Sequence, residues 1–180
     1  MPFIALAAGA VVKTLEEQMS FYLRYHRHPK NKLTHFFGVP LIMFSLFVLL
    51  GLVRLQLGDV SITAASALAI AVLAYYFRLD AVLAVAMTLF TAVLLIAANR
   101  VCTLGAPTAL TVFAVAFVGG WTLQLVGHAF EGRKPALVDN FFQIFIAPIF
   151  LMAEVFFALG YKREVAQRVQ ELALQPERGA

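Results

Sequence analysis

The chain has 180 residues, of which 62% are hydrophobic and only 13% charged. A soluble domain carries about 45–50% apolar and about 25% charged residues, so a large water-facing domain is excluded. Fourteen basic and ten acidic residues give a formal net charge of +4, but the basic ones stand at the ends of apolar blocks and form no stripe, which argues against nucleic acid and for a lipid bilayer.

Residues 1–12 are apolar without the basic start of a secretory signal, and read as an interfacial or bundle-associated helix running into residues 13–25. Residues 36–53 carry no charge and are long enough to cross a hydrocarbon core, until Arg54 stops them and Gly58-Asp59 marks a turn. Residues 60–77 form a second such block, ended by Arg78 and Asp80, and residues 81–98 a third, ended by Asn99 and Arg100. The fourth starts near Pro107, where a missing N–H costs a helix nothing, and runs to residue 126. All four read as helices, because a lone strand cannot satisfy its backbone in lipid. The single cysteine, Cys102, excludes an intrachain disulfide and a cysteine-rich metal site.

Residues 141–157 are apolar too, but carry Gln143, Pro148 and Glu154. A full crossing here would put Lys162, Arg163 and Arg168 across the membrane from Arg133 and Lys134, against the positive-inside tendency, and Pro148 would break the helix. The predicted fold is therefore all-α: a polytopic membrane helical bundle with four full transmembrane helices plus a proline-broken re-entrant or interfacial helical pair, a fifth full span being the alternative. One integral membrane domain, 1–180, divides into an N-terminal cytoplasmic or interfacial segment (1–35), the four spans (36–126), a second polar segment with the re-entrant helices (127–160) and a tail (161–180). The tail reads as a short amphipathic helix from residue 165 that frays at Pro176 and Gly179. Arg24, Arg27, Lys30, Lys32, Arg133 and Lys134 assign both polar segments to the cytoplasmic side, leaving Arg54 and Arg100 on the other.

All four histidines, His26, His28, His35 and His128, fall in the polar segments 25–35 and 127–139. Pro29 pushes His28 toward an extended conformation, and Asn31 is the predicted N-cap of the first span, with His35 one turn further on the same face. The break at Pro29 lets the chain turn back, so that His26 and His35 converge. In Gly127-His128-Ala129-Phe130-Glu131 the imidazole and carboxylate are three apart on one helical face, and Gly127 permits close backbone approach. Two readings stand side by side: interfacial hydrogen-bonding residues, or a metal set. His28 lies in a basic, exposed stretch. Glu131 is either a partner of the helix dipole and Arg133 or part of a metal shell. Four imidazoles suffice for one metal ion but not two, and three with open positions suit mononuclear Fe(II) or Zn(II). No HExxH or comparable motif supports zinc hydrolysis. A non-catalytic membrane module or a small transporter remains an alternative, although no charge marks the middle of the first four blocks.

Together the segments resemble the membrane-bound 2-hydroxy fatty acid dioxygenases, a family first understood in fungal phytosphingosine breakdown and widespread in bacteria. The matching stretches are Tyr25-His26-x-x-Pro29-x-Asn31-x-x-x-His35-x-x-Gly38-x-Pro40 and Gln124-x-x-Gly127-His128-x-x-Glu131-x-x-x-Pro135-Ala136-Leu137, continuing through Asn140, Gln143, Pro148 and Glu154. The resemblance covers about residues 15 to 160. It implies an Fe(II) enzyme that uses dioxygen in the alpha-oxidation of a long-chain 2-hydroxy fatty acid, shortening it by one carbon. It would sit in the bacterial inner membrane, or in the endoplasmic reticulum of a eukaryote. The family's ligand positions match His26, His35 and His128, while His28, where many relatives carry asparagine, is a candidate extra ligand. Glu131 falls on the family's acidic position and is the candidate catalytic carboxylate. Arg27, Lys30, Asn31, Arg133 and Lys134 are the candidate substrate contacts, and Phe36, Phe37 and Phe130 line the expected access route. A bilayer suits such a substrate, because each buried CH₂ gains about 0.8 kcal/mol.

Overall fold

A run of apolar side chains becomes a defined helix only where caps and turns fix its ends. In a computed structural model, which describes residues 14–132, 134–135 and 142–175, those ends are well specified. The predicted helix over 1–12, the residues Arg133 and Asn140, and the fraying end of the tail lie outside the described residues.

Helix α1 (Leu15–Arg24) starts with a capping box: Thr14 Oγ1 accepts from the Glu17 amide, and the Glu17 carboxylate accepts from the Thr14 amide at 2.9 Å. Helix α2 (Pro29–Gly51) begins two residues earlier than the predicted Asn31 cap. Proline at the first helical position loses no hydrogen bond, so the preceding residue becomes the cap. That residue is His28, extended at φ −70° and ψ 128°, whose Nδ1 accepts from the Lys30 amide at 3.2 Å. Asn31 is thereby freed for another task.

The second apolar block does not start as a helix. Strands β1 (Arg54–Leu57) and β2 (Val60–Thr63) form an antiparallel hairpin, pairing Arg54 with Thr63 and Leu55 with Ile62. Gly58 supplies its left-handed turn at φ 62°. Thr63 then caps helix α3 (Ala64–Leu79), accepting from the Ser66 amide at 3.1 Å. Helix α4 (Ala81–Cys102) is capped by Asp80, and helix α5 (Ala106–Glu131) carries Pro107 in its first turn, ending at Gly132 with φ 69°. Helix α6 (Gln143–Ala158) is continuous, so Pro148 does not divide it into the predicted pair. At the sixth position of the helix, the N–H it lacks would have reached only the Ile144 carbonyl in the first turn. Helix α7 (Arg163–Leu174) is the amphipathic tail helix.

Among the described residues α2, α4 and α5 are long and apolar enough to cross a membrane, whereas α3 and α6 have 16 residues each. At about 1.5 Å per residue those two span about 24 Å, short of a hydrocarbon core of about 30 Å. On α4, Val85, Leu89, Val93 and Ile96 form one outward row, each more than half exposed, the pattern of a helix whose solvent is lipid.

The tightest packing joins α2 to α5 through glycines. A Cβ on Gly38 would lie 2.6 Å from Gln124 Nε2, and one on Gly120 would lie 2.6 Å from Ile42 Cγ1 and 3.1 Å from the Gly38 carbonyl. Small residues let transmembrane backbones approach, since lipid gives no hydrophobic drive to hold the helices together. Two cores result. One, at the far end, holds Phe47, Val48, Ala65, Ala69, Ala98 and Ala109. The other lies at the histidine end, where α1, α6 and α7 form a cap over the bundle: Met19, Tyr22, Tyr76, Met87, Ile149 and Phe150 pack together. Polar ties hold that cap, with Tyr76 Oη donating to the Phe145 carbonyl, Lys162 paired with Asp80, and Arg24 donating to the Leu172 carbonyl at 3.0 Å.

Replacing Gly120 with valine should lower the thermal unfolding midpoint in detergent, since overpacking costs about 1–3 kcal/mol. Gly119→Ala, whose new Cβ would meet Leu41 at an ordinary 3.6 Å, should leave it unchanged. Circular dichroism melts of both variants test this, and equal midpoints would remove the glycine contact from the account.

Candidate metal centre

Four residues, 25–28, link α1 to α2, and Pro29 prevents α1 from continuing through them. The link turns back on itself. His26 stacks on the ring of Tyr22, with centroids 3.8 Å apart and planes within 4°, and its Nδ1 lies 2.8 Å from the Tyr22 carbonyl. His35, in the second turn of α2, places its own Nδ1 2.9 Å from the Asn31 carbonyl. His128 approaches from the last turn of α5, with ring centroids 4.9 Å from His26 and 5.0 Å from His35. All three are buried, and one nitrogen from each lies within 4.8 Å of the other two.

The hydrogen bonds fix the tautomers. A carbonyl oxygen only accepts, so Nδ1 of both His26 and His35 carries the proton and donates it. Their Nε2 atoms are then bare lone pairs, and they face each other at 3.1 Å. Two lone pairs at that distance repel unless a cation lies against both. A proton would have to charge a buried ring, which the site opposes: burial, and then the neighbouring His35 imidazole, hold the His26 pKa down to about 2. Neutral imidazole is the metal-ligating form. A spacing of 3.1 Å also matches two adjacent ligands each about 2.1 Å from one ion. The donor set therefore fits a metal ion held by His26, His35 and His128.

Gly127 brings the third imidazole in. A Cβ there would lie 2.5 Å from Asn31 Oδ1 and 3.1 Å from His35 Nδ1. Glu131, one turn on, accepts from the Arg27 amide at 3.0 Å, the His28 amide at 2.8 Å and Asn31 Nδ2 at 3.0 Å. Asn31 Nδ2 also donates to the Tyr25 carbonyl at 3.1 Å. Carboxylate and amide together pin the link that carries His26 to the end of the helix that carries His128.

The other predicted residues lie elsewhere. His28 caps α2 and stacks on Phe130 at 5.9 Å, outside the trio. Arg27 donates to the Ala173 carbonyl at 3.2 Å, and the Lys30 ammonium sits 5.0 Å over Phe130, so both stay at the surface. Asn31 is fully buried in the clamp, and Lys134 is exposed.

Two cavities meet at the imidazoles. One, apolar and about 330 Å³, is lined at this end by Tyr22, His26, His35, Gln124, His128 and Gln143 and continues between α2 and α3. Among the described residues, Gln124 Nε2 and Gln143 Oε1 have no hydrogen-bond partner, and both side chains are buried. The second cavity, about 440 Å³, lies on the other side of His26 and His35 and is bordered by Pro29, Phe36 and the ion pair of Lys32 with Glu154 at 2.9 Å. Among the described residues, Lys32, rather than Arg27 or Lys30, is the cation lining a cavity with His26 and His35. Sequence reasoning counted it only for sidedness. Helical spacing held the missed signals: Tyr22 is four before His26, and Gln124 four before His128.

Glu131→Ala would leave buried donors unsatisfied at about 1–3 kcal/mol. It should lower both the unfolding midpoint and the metal retained per chain, whereas Arg27→Ala should change neither. Metal analysis and melting of purified variants measure this, and full retention in Glu131→Ala would show that the clamp does not hold the site.

A family profile described as 2-hydroxy-palmitic acid dioxygenase Mpo1-like matches residues 12–159. The curated 2-hydroxy-palmitic acid dioxygenase MPO1 of Saccharomyces cerevisiae is 36% identical over 155 residues, covering 85% of this chain and 86% of the yeast protein. No solved structure matches the chain. A profile spanning both polar segments and a relative aligned over most of both lengths agree, and the chain belongs to the 2-hydroxy-palmitic acid dioxygenase Mpo1-like family.

Proposed function

We propose that this protein is an Fe(II)-dependent dioxygenase that carries out alpha-oxidation of long-chain 2-hydroxy fatty acids, shortening them by one carbon. The observation that carries the reading is the pair of bare Nε2 atoms of His26 and His35 at 3.1 Å, with His128 beside them. The name of the yeast relative supports the substrate class. Iron held by His26, His35 and His128 would supply what zinc cannot, electrons for dioxygen.

The protein's own groups do the rest. The Tyr22 and Asn31 carbonyls hold the two Nδ1–H groups and so aim both Nε2 atoms at one point. Glu131 is a positioning residue that acts through the link 25–28. Lys32 offers a cation beside the site that attracts a carboxylate from the headgroup plane, with Glu154 holding it when no acid is present. His28 serves as a helix cap. Apolar walls exclude water from the reacting end and receive the acyl chain.

The same reading extends to the membrane. Meeting of His35 with His128 supports an even number of crossings between them, so α3 is counted as the fourth full span, with the β1–β2 hairpin making up its missing length. Cap helix α6 lies at the interface, tied at its two ends to Tyr76 and to Lys32. Arg24, Arg27, Lys30, Lys32 and Lys134 support a cytoplasmic position for both histidine segments, in the bacterial inner membrane or in the endoplasmic reticulum of a eukaryote.

Anaerobic purification in detergent with Fe(II), followed by oxygen uptake and product mass with 2-hydroxypalmitate, tests the proposal. His26→Ala, His35→Ala and His128→Ala should each lose bound iron and at least about 100-fold in activity, the scale set by lost catalytic positioning. His28→Ala should retain most of both. Absence of stoichiometric metal in the wild-type protein would favour a membrane module in which the histidines are structural.

A further inference from the structure

The apolar cavity between α2 and α3 does not end at the imidazoles. It follows α2 past Val39, Ile42 and Met43 to Phe47 and Leu50, facing Leu73, Ala69 and Leu68 of α3. From His35 to Leu50 the helix rises about 22 Å at about 1.5 Å per residue. One leaflet of hydrocarbon is about 15 Å deep, so the cavity has room for an extended long acyl chain. Its polar lining gathers at the histidine end, in Gln124, Gln143 and Tyr22, with Thr91 and the Trp121 indole as the exceptions further in. Beyond Phe47 and Ala69 the bundle closes: Val48, Ala65, Ala98 and Ala109 are fully buried, and a Cβ on Gly51 would stand 2.9 Å from Cys102 Sγ.

We infer that this cavity is an acyl-chain ruler, in which Phe47, Leu50, Leu68 and Ala69 form the stop that sets the longest 2-hydroxy acid the enzyme accepts. The inference rests on the proposed reaction, which makes the histidine end the reacting end. With the hydroxyl and carboxylate fixed there beside Gln124 Nε2 and Gln143 Oε1, which have no partner among the described residues, the methyl end can only extend toward the stop. Every methylene that fits leaves water for an apolar wall, and every one that does not fit must bend back against packed side chains. Discrimination then comes from the depth of the floor and not from the head group.

The test compares kcat/KM across a homologous series of saturated 2-hydroxy acids, from medium to very long chain, for the iron-loaded wild-type enzyme and three variants. Ala69→Phe and Leu50→Trp raise the floor and should move the optimum to shorter acids, with a loss of about fourfold for each methylene that no longer fits. Phe47→Ala lowers it and should move the optimum to longer acids. Iron content and turnover of the shortest substrates should match wild type in all three, which keeps the stop separate from the metal centre. Should Ala69→Phe fail to fold, the opposite shifts of Leu50→Trp and Phe47→Ala still decide. An active wild-type enzyme with the same length profile in every folded variant overturns the ruler and leaves the reaction standing. A wild-type enzyme that binds iron yet turns over no 2-hydroxy acid of any length overturns the reaction, and the ruler with it.

Discussion

The Nε2 atoms of His26 and His35 stand 3.1 Å apart with no proton between them, because each ring has already given its hydrogen to a backbone carbonyl. In water such a contact would relax by rotating a ring. Here His26 is held by stacking on Tyr22 and His35 by the wall of α2, so the repulsion stays until a cation neutralises it. Much of the surrounding structure serves to keep these rings where they are. Pro29 turns the chain back, Asn31 and Glu131 pin the turn, and α1 with α6 covers it.

Keeping His128 in reach needs a second device, since it arrives on a helix that begins at the far end of the bundle. Gly38, Gly120 and Gly127 supply it by removing side chains along the α2–α5 seam. A packing feature that elsewhere only helps two membrane helices associate here sets the distance between imidazoles. The same two helices contribute to the wall of the apolar cavity, so the histidine cluster and that cavity share a common support.

Much of this was legible in the sequence, and the gaps have physical causes. Uncharged blocks around residues 36–53 and 81–98, and Pro107 at a helix start, appear as α2, α4 and α5, because length and hydropathy suffice to specify a spanning helix. The i, i+3 spacing of His128 and Glu131 put both on one face, and the bend at Pro29 correctly brought His26 to His35. Asn31 has a side chain that suits a cap, but proline at the first position moves the helix start and makes His28 the cap. The hairpin was missed because Val60 and Ile62 suit a strand and an apolar helix equally, and only Thr63 marks the true start. Pro148 suggests a break, but a proline near a helix start removes little and α6 runs through it. Lys32 was counted for the side of the membrane rather than for its place, which depends on Glu154, more than a hundred residues away.

The separations between the three imidazoles carry a consequence for biogenesis. His26 and His35 leave the ribosome together, but the Glu131 carboxylate that pins the turn between them does not. His128 follows more than ninety residues later, after the intervening helices have been inserted. The turn and the third imidazole are thus completed by the same late helix, so an ion held by all three would report that α2 and α5 have met.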